Sequence, residues 1–147
     1  MPLDTIIIDG DQVIFQSQMG LASVVVKPGE IAGSGKTTLN GTPVCVSGDE
    51  AQVAVAGCDY TTPIHAKPGK GTLKIHALAP DQLAALTASG GKAVIRQGIL
   101  FDARFEVQVP AQDIKPVAAG GAPIPDAAPM YFGKGEFKST NAKVKTT

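Results

Sequence analysis

The residues with the most obvious chemical promise are Gly33-Ser34-Gly35-Lys36-Thr37-Thr38. Their order is that of the end of a phosphate-binding loop, where backbone amides cradle phosphate and a lysine neutralises it. That chemistry needs a glycine five residues before the glycine of Gly-Lys-Thr, and Glu30 stands there instead. Gly29 is one position too early, and a carboxylate would face the anion. The loop must also leave a buried strand and enter a helix. Lys27-Pro28-Gly29-Glu30 before it reads as a turn. Asn40-Gly41 after it is a hairpin signal, and Pro43 pushes its predecessor away from helix. A nucleotide site is therefore set aside. For catalysis the chain offers two histidines, His65 and His76. It has no nucleophile elbow, no His-Glu metalloprotease motif and no acid pair in a recognisable context. No enzyme is expected.

Read as structure, residues 33–49 (G-S-G-K-T-T-L-N-G-T-P-V-C-V-S-G-D) are a turn-and-strand device. Lys36 to Leu39 forms a short strand, Asn40-Gly41 turns it, Pro43 to Val46 returns, and Ser47-Gly48-Asp49 turns again. The glycines and asparagine supply positive φ. This run resembles the proline-alanine-alanine-arginine (PAAR) repeat proteins, the tips that cap the trimeric spike of contractile injection systems such as type VI secretion. The resemblance rests on Gly33-Ser34, Thr38-Leu39, Asn40-Gly41, Pro43 and Gly48-Asp49, in that order. Pro43-Val44-Cys45-Val46 replaces the defining tetrapeptide, and no clear second copy of the run is visible. Gly35-Lys36-Thr37-Thr38-Leu39 and Gly69-Lys70-Gly71-Thr72-Leu73 echo each other, as any turn followed by a strand does.

The resemblance implies a structural spike tip with a trimeric spike protein as partner, and effector cargo as a second. It also implies zinc near the apex, held by histidines and a cysteine. Cys58, His65 and His76 are then the candidate ligands, with Cys45 as a fourth. Thiolate and imidazole suit tetrahedral zinc. The spacing lacks the short Cys-x-x-Cys clustering of a zinc motif. If His65 lies opposite Leu73 in a hairpin, the two rings point to opposite faces, and a shift of one residue puts both on the same face. Without a metal, the cysteines read as two small buried apolar residues, reduced thiols in the cytoplasm.

Composition narrows the classes. The formal net charge is zero and the pI about 6.7, so the basic footprint of a nucleic-acid binder is missing. Electrostatic attraction to anionic membranes is missing too. The 44% apolar content supports a core, but with no tryptophan and 5% aromatics small and branched side chains must fill it. Residues 1–5 lack a secretory signal, and no segment is apolar for long enough to span a bilayer. The expectation is cytoplasmic synthesis without a signal peptide, and export by a contractile machine.

Short extended segments follow one another at even intervals. These are 5–8 and 12–15 around Asp9-Gly10-Asp11, then 22–26, 36–39, 43–46, 51–56, 60–65, 72–76, 92–96, 98–101 and 104–109. This predicts a mainly β protein, a compact antiparallel barrel, sandwich or β-prism-like body. One short helix is expected near residues 80–89, from Pro80 and Asp81 at its start, Leu83 and Leu86 on one face and Gly90-Gly91 at its stop. In 104–109, Phe105, Val107 and Val109 are expected inward. The body is assigned to 1–109, a Pro/Ala/Gly-rich linker to 110–130, and a tail to 131–147, with one strand and then disorder. Residues 110–147 are expected to be removable. A small-ligand or carbohydrate-binding β-domain, or a surface adhesion module, is the competing functional class, though few aromatics are available for sugar stacking.

Overall fold

The computed structural model describes residues 4–39, 41–139 and 145–146. The chain is mainly β, as expected. It begins with β1 (Asp4–Thr5), β2 (Gln12–Phe15), β3 (Gln18–Met19), β4 (Ala22–Val24) and β5 (Gly29–Glu30). A hairpin of β6 (Thr38–Leu39) and β7 (Thr42–Pro43) precedes β8 (Ala54–Thr61) and β9 (Gly69–Ala77). Then come β10 (Leu83–Ser89), β11 (Lys92–Ile95) and β12 (Phe101–Val109). The chain closes with β13 (Gln112–Asp113), the helix α1 (Lys115–Ala118), β14 (Ile124–Pro125), β15 (Met130–Lys138) and β16 (Lys145–Thr146). Among the described residues no helix is long and apolar enough to cross a membrane.

Eight strands form one antiparallel sheet in the order β3-β4-β8-β9-β12-β15-β2-β5. Only Gln16 and Ser17 join β2 to β3, yet the two strands lie near opposite ends of that order. The sheet must therefore curl into a half-barrel. The Gln16 amide donates to the Lys134 carbonyl at 3.0 Å, and Met19 is brought over Gly133 of β15. Alternation along β12 buries Phe101, Ala103 and Phe105 inside the curl. Val107 is partly buried and Val109, at the strand's end, is exposed, which corrects the last of the three inward expectations.

Two glycines make room for rings. Phe101 pairs directly with Gly135, where an added Cβ would come within 2.5 Å of its Cζ. A Cβ on Gly71 would meet the Phe105 ring at the same 2.5 Å. Glycine in a strand weakens it unless something packs against the bare backbone, and here an aromatic ring does. Phe101 then packs edge-on to Phe15 at 5.7 Å and against Phe137 at 5.1 Å, while Phe105 meets Tyr60 at 5.1 Å.

The helix expected near 80–89 is absent. Pro80–Gln82 is a single 3-10 turn, closed by Gln82 Oε1 accepting from the Ala79 amide at 3.0 Å. Leu83–Ser89 then runs as a strand against β11, with Ser89 opposite Lys92. Gly90 and Gly91, both at positive φ, turn a hairpin instead of ending a helix. A ten-residue helix is marginal by itself, and pairing outweighs the propensity of its alanines and leucines. The Leu86 side chain lies outside the described residues. The α-helix is instead the four-residue α1, inside the segment expected to be a linker.

The segment 131–138 is no appendage. β15 lies between β12 and β2, paired to both, with Phe137 buried. Residues 145–146, expected to be disordered, pair with β1. The expected mobility of 140–144 and 147 falls outside the described residues. The expectation that 110–147 is removable is therefore corrected, because a cut there takes out an interior strand. A chain truncated after Ala111 is expected to lose its cooperative thermal transition, and retention of a sharp melt within about 8 °C of the full chain would sink this assignment. Gly135→Ala, which forces a methyl into Phe101, is expected to cost about 1–3 kcal/mol, read as a lowered denaturation midpoint.

Candidate functional site

Three short segments meet at one end of the body: Ile6-Ile7-Ile8, Val44-Cys45-Val46 and Val94-Ile95-Arg96. They are joined by antiparallel bridges, Ile6 to Arg96, Ile8 to Val44 and Val46 to Val94. In each bridge the first residue of one segment meets the last residue of another. The middle amides bond in a closed cycle. Ile7 N–H donates to the Ile95 carbonyl at 3.0 Å, Ile95 N–H to Cys45 at 2.9 Å, and Cys45 N–H to Ile7 at 2.9 Å. A second cycle surrounds it: Asp9 N–H donates to Pro43 O, Ser47 N–H to Ala93 O and Gln97 N–H to Thr5 O, each at 2.8 Å. The arrangement is a quasi-threefold ring made by one chain.

The repetition extends outward. Each segment is preceded by residues of a two-stranded antiparallel sheet in matching register, two of these sheets being hairpins and the third a pairing of the two ends of the sequence. Pro43 faces Thr38 and Thr42 faces Leu39; Ala93 faces Ala88 and Lys92 faces Ser89; Thr5 faces Lys145 and Asp4 faces Thr146. Gly41 and Gly91 occupy matching turn positions, each at φ +82°. Asn40, the other half of the expected Asn-Gly turn, lies outside the described residues. Each segment is followed by one residue and a glycine at positive φ: Gly10, Gly48 and Gly98. Side chains alternate across the ring. Ile7, Cys45 and Ile95 point into the main core. Ile6, Val44, Val46 and Val94 point the other way and form a second apolar cluster with Ala84, joined by Ile8 and Leu39.

Aspartates lock the corners. Asp11 and Asp49, both buried, accept from the Ile8 and Val46 amides at 2.8 Å. Ser139 Oγ donates to Asp11 at 2.7 Å, and Ser34 donates to Asp49 through both its hydroxyl and its amide. In the third copy Ile99 stands where the aspartates stand, and the Arg96 amide is served by the Gln82 carbonyl at 2.9 Å. The 33–49 run is thus a closed unit, from Ser34 to Asp49. Gly33 and Gly35 lie so close to the Val44 backbone that no side chain fits, which is the need that put glycines there. The Asp9-Gly10-Asp11 corner is not the expected hairpin turn, since β2 pairs with β15 and β5.

The four expected metal ligands occupy four separate places. Cys45 is at the ring's centre, facing the core, where burial and the Asp49, Asp11 and Asp9 carboxylates push its thiol far up. Cys58 points into the core from β8, and burial raises its thiol too, against the opposing charge of Lys27. His65 lies in the loop after β8, its Nδ1 2.8 Å from Thr62 Oγ1. His76 packs edge-on to the Phe132 ring at 5.1 Å. Among the described residues no group of three or more His, Cys, Asp or Glu side chains is placed to hold a metal. The candidate zinc ligands are thus not brought together among the described residues.

At the opposite end of the body a polar clasp ties down the 110–130 segment. Asp126 Oδ2 accepts from Tyr60 at 2.9 Å and Tyr131 at 2.6 Å, and Oδ1 accepts from the Ala128 amide at 3.0 Å. Tyr60 Oη in turn accepts from the Ala111 amide at 2.9 Å. Burial pushes the Asp126 carboxyl up, but the bonds from Tyr131, Ala128 and Tyr60 outweigh it and hold it below its ordinary value. Burial, assisted by Asp126, pushes Tyr60 up to about 12 and Tyr131 further.

The sequence marks all three ring segments as extended, within 5–8, 43–46 and 92–96, but their repetition was missed. The signal for it is short: three residues, mostly apolar, then one polar residue and a glycine, as I-I-I-D-G, V-C-V-S-G and V-I-R-Q-G. A family model described as contractile injection system spike tip protein matches residues 1–147. No curated protein matches the chain.

Two measurements test this geometry. Asp126 has a lowered folded-state value, so the stability it contributes is present above about pH 4 and lost as the pH falls through that lowered value. The stability difference between wild type and Asp126→Asn is therefore expected to shrink on acidification below about pH 4; a difference constant from pH 7 to pH 2 would remove the clasp from the account. Elemental analysis of the purified chain is expected to find well under one zinc per molecule. Stoichiometric zinc lost on His65→Ala or Cys58→Ala would contradict the placement given above.

Proposed function

We propose, because the chain belongs to the family of contractile injection system spike tip proteins, that it caps a trimeric spike with its quasi-threefold hairpin end. The observation that carries this reading is the closed ring with its three two-stranded sheets in one register. A trimer presents three equal edges around its axis. A single chain can meet all three alike only by repeating its own edge three times, as the symmetry of any such interface requires. The hairpins are two-stranded sheets, the type of element to which a partner's strands add by main-chain hydrogen bonding.

The role is mechanical. Load on the tip passes through backbone hydrogen bonds and a packed core, and the ring joins directly to the body through β2, the turn before β8, and β12. Export with the spike, by type VI secretion or a phage-tail-like machine, follows from that role. Effector cargo would ride as a further partner.

The test is binding of the purified chain to the trimeric spike protein from the same source. Wild type is expected to bind with a stoichiometry of one chain per trimer. Thr38→Glu with Ala88→Glu places charge at matching exposed positions of two hairpins. It is expected to weaken binding at least about tenfold, or 1.4 kcal/mol, with the melting midpoint unchanged. Unaltered binding would move the docking face elsewhere. No wild-type binding at high micromolar concentration would end the capping proposal.

A further inference from the structure

On the side turned from the main core, the ring is apolar at five of its six flanking positions and charged at the sixth. Ile6, Ile8, Val44, Val46 and Val94 belong to the second apolar cluster. Alternation puts Arg96 on the same side, at the third corner. Its Nε donates to the Asp81 carbonyl at 2.5 Å, and the residue is only 9% exposed. Among the described residues its two terminal nitrogens have neither a hydrogen-bond nor an ion-pair partner. They are not sealed in, since the enclosed side-chain polar atom without a partner is Thr72 Oγ1. They open on a cleft of about 310 Å³ walled by Asp4, Asp81, Gly98 and Ile99. A nearly buried guanidinium that uses one of its five donors is far from satisfied.

The walls decide which acceptor fits. Asp4 accepts from the Thr5 amide at 2.8 Å and from the Gly98 amide at 2.5 Å, one on each oxygen. Asp81 Oδ2 accepts from the Ile99 amide at 3.0 Å, and its Oδ1 is left to accept. A Cβ on Gly98 would come within 3.1 Å of the Asp81 carboxylate, so the glycine is what lets Asp81 stand there. One cation beside two carboxylates gives the cleft a net negative charge, which repels a free anion. A neutral group that takes N–H bonds from a guanidinium and gives one to a carboxylate is the peptide group, with its C=O and N–H. Ile99, 75% exposed, adds apolar surface for the side chain beside it.

We propose that this cleft takes the main chain of one spike subunit, with Arg96 donating to a backbone carbonyl and Asp81 Oδ1 accepting from a backbone amide. The inference rests on the docking reading and deepens it. Ile8 and Val46 fill the matching places at the other two corners. Three equal spike chains thus meet two apolar corners and one polar one. One of them is held by bonds that the other two lack, so the single-chain cap sits on the trimer without threefold equivalence.

The experiment measures binding of the full chain to the trimeric spike protein from the same source by calorimetry. Arg96→Met and Arg96→Lys are each expected to raise Kd at least about tenfold, lysine failing because it lacks the planar fork. Ile99→Glu sets a carboxylate at the mouth of the cleft, where it can take the guanidinium itself. It is expected to give the same loss with an unchanged melting midpoint, because Ile99 is exposed. Leu21→Ser, exposed beside the Asp126 clasp at the opposite end, is expected to leave Kd unaltered. Because the acceptor is neutral, the ratio of the Arg96→Met Kd to the wild-type Kd is expected to change less than about threefold when salt is raised about tenfold. A ratio that collapses towards one in salt overturns the main-chain contact, since the acceptor would then be a carboxylate. Arg96 and Ile99 variants that all bind within twofold of wild type overturn the cleft and leave docking standing. Absence of wild-type binding ends both proposals. Should the Arg96 variants melt early, Ile99→Glu decides: a loss of binding supports the cleft, and no loss overturns it.

Discussion

The backbone amides of Ile7, Cys45 and Ile95 are buried at the centre of the ring, and they bond to one another's carbonyls. A buried N–H without a partner costs as much as a lost hydrogen bond, so the three segments must close on each other or not form. The rest of the architecture follows from that closure. Three strands in a triangle can share bonds over a few residues before they diverge. Each therefore leaves through a corner, which takes a glycine at positive φ: Gly10, Gly48 or Gly98. The buried aspartates at two corners exist to satisfy amides that the triangle cannot reach, those of Ile8 and Val46. Where Ile99 replaces the aspartate, the chain inserts the Pro80–Gln82 turn and supplies a carbonyl instead.

A chain with few aromatics still builds a firm core because it spends them beside glycine. Phe101 and Phe105 lie over Gly135 and Gly71, filling the space that a neighbouring side chain would have taken and letting strands approach closely. The curl of the sheet depends on the same economy, since Met19 reaches β15 only where Gly133 leaves the backbone bare. Small residues here are not a sign of weak packing. They are the holes into which the few large ones fit.

Much of this was legible in the residues, and the failures have physical causes. The β class, the turn reading of 33–49 and the hairpin of Thr38–Leu39 with Thr42–Pro43 follow from local rules, because glycine, proline and alternation act over two to six residues. The strand at 83–89 was hidden because alanine and leucine favour helix locally, while its partner Lys92–Ile95 imposes extension. One strand was expected in the tail at 131–147, but its place inside the sheet was hidden, because the Pro/Ala/Gly-rich 110–130 before it reads as a linker and the rings and Met19 that need Gly133 and Gly135 are distant in sequence. The ring itself is a contact among three distant trios, and nothing in I-I-I, V-C-V or V-I-R alone announces a partner. For the candidate metal ligands the residue types were suitable and the spacing was uninformative, and among the described residues the fold does not gather three of them at one point.

The three copies differ in how they come together, and that difference shapes the whole molecule. The hairpins at 38–43 and 83–95 are local and can form as soon as their own residues exist. The third joins Asp4–Thr5 to Lys145–Thr146, across nearly the full length of the sequence. The sheet has the same character, since β2 is held to its larger part only through β15. Contacts so far apart carry a loop-closure cost that local contacts do not, and folds that depend on them fold more slowly. Residues 130–138 and 145–146 therefore close two structures at once: the first insert the strand that joins β2 to β12, and the second supply the third two-stranded sheet beside the ring. The segment that looks most like a tail by composition is the piece without which neither the half-barrel nor the quasi-threefold end is complete.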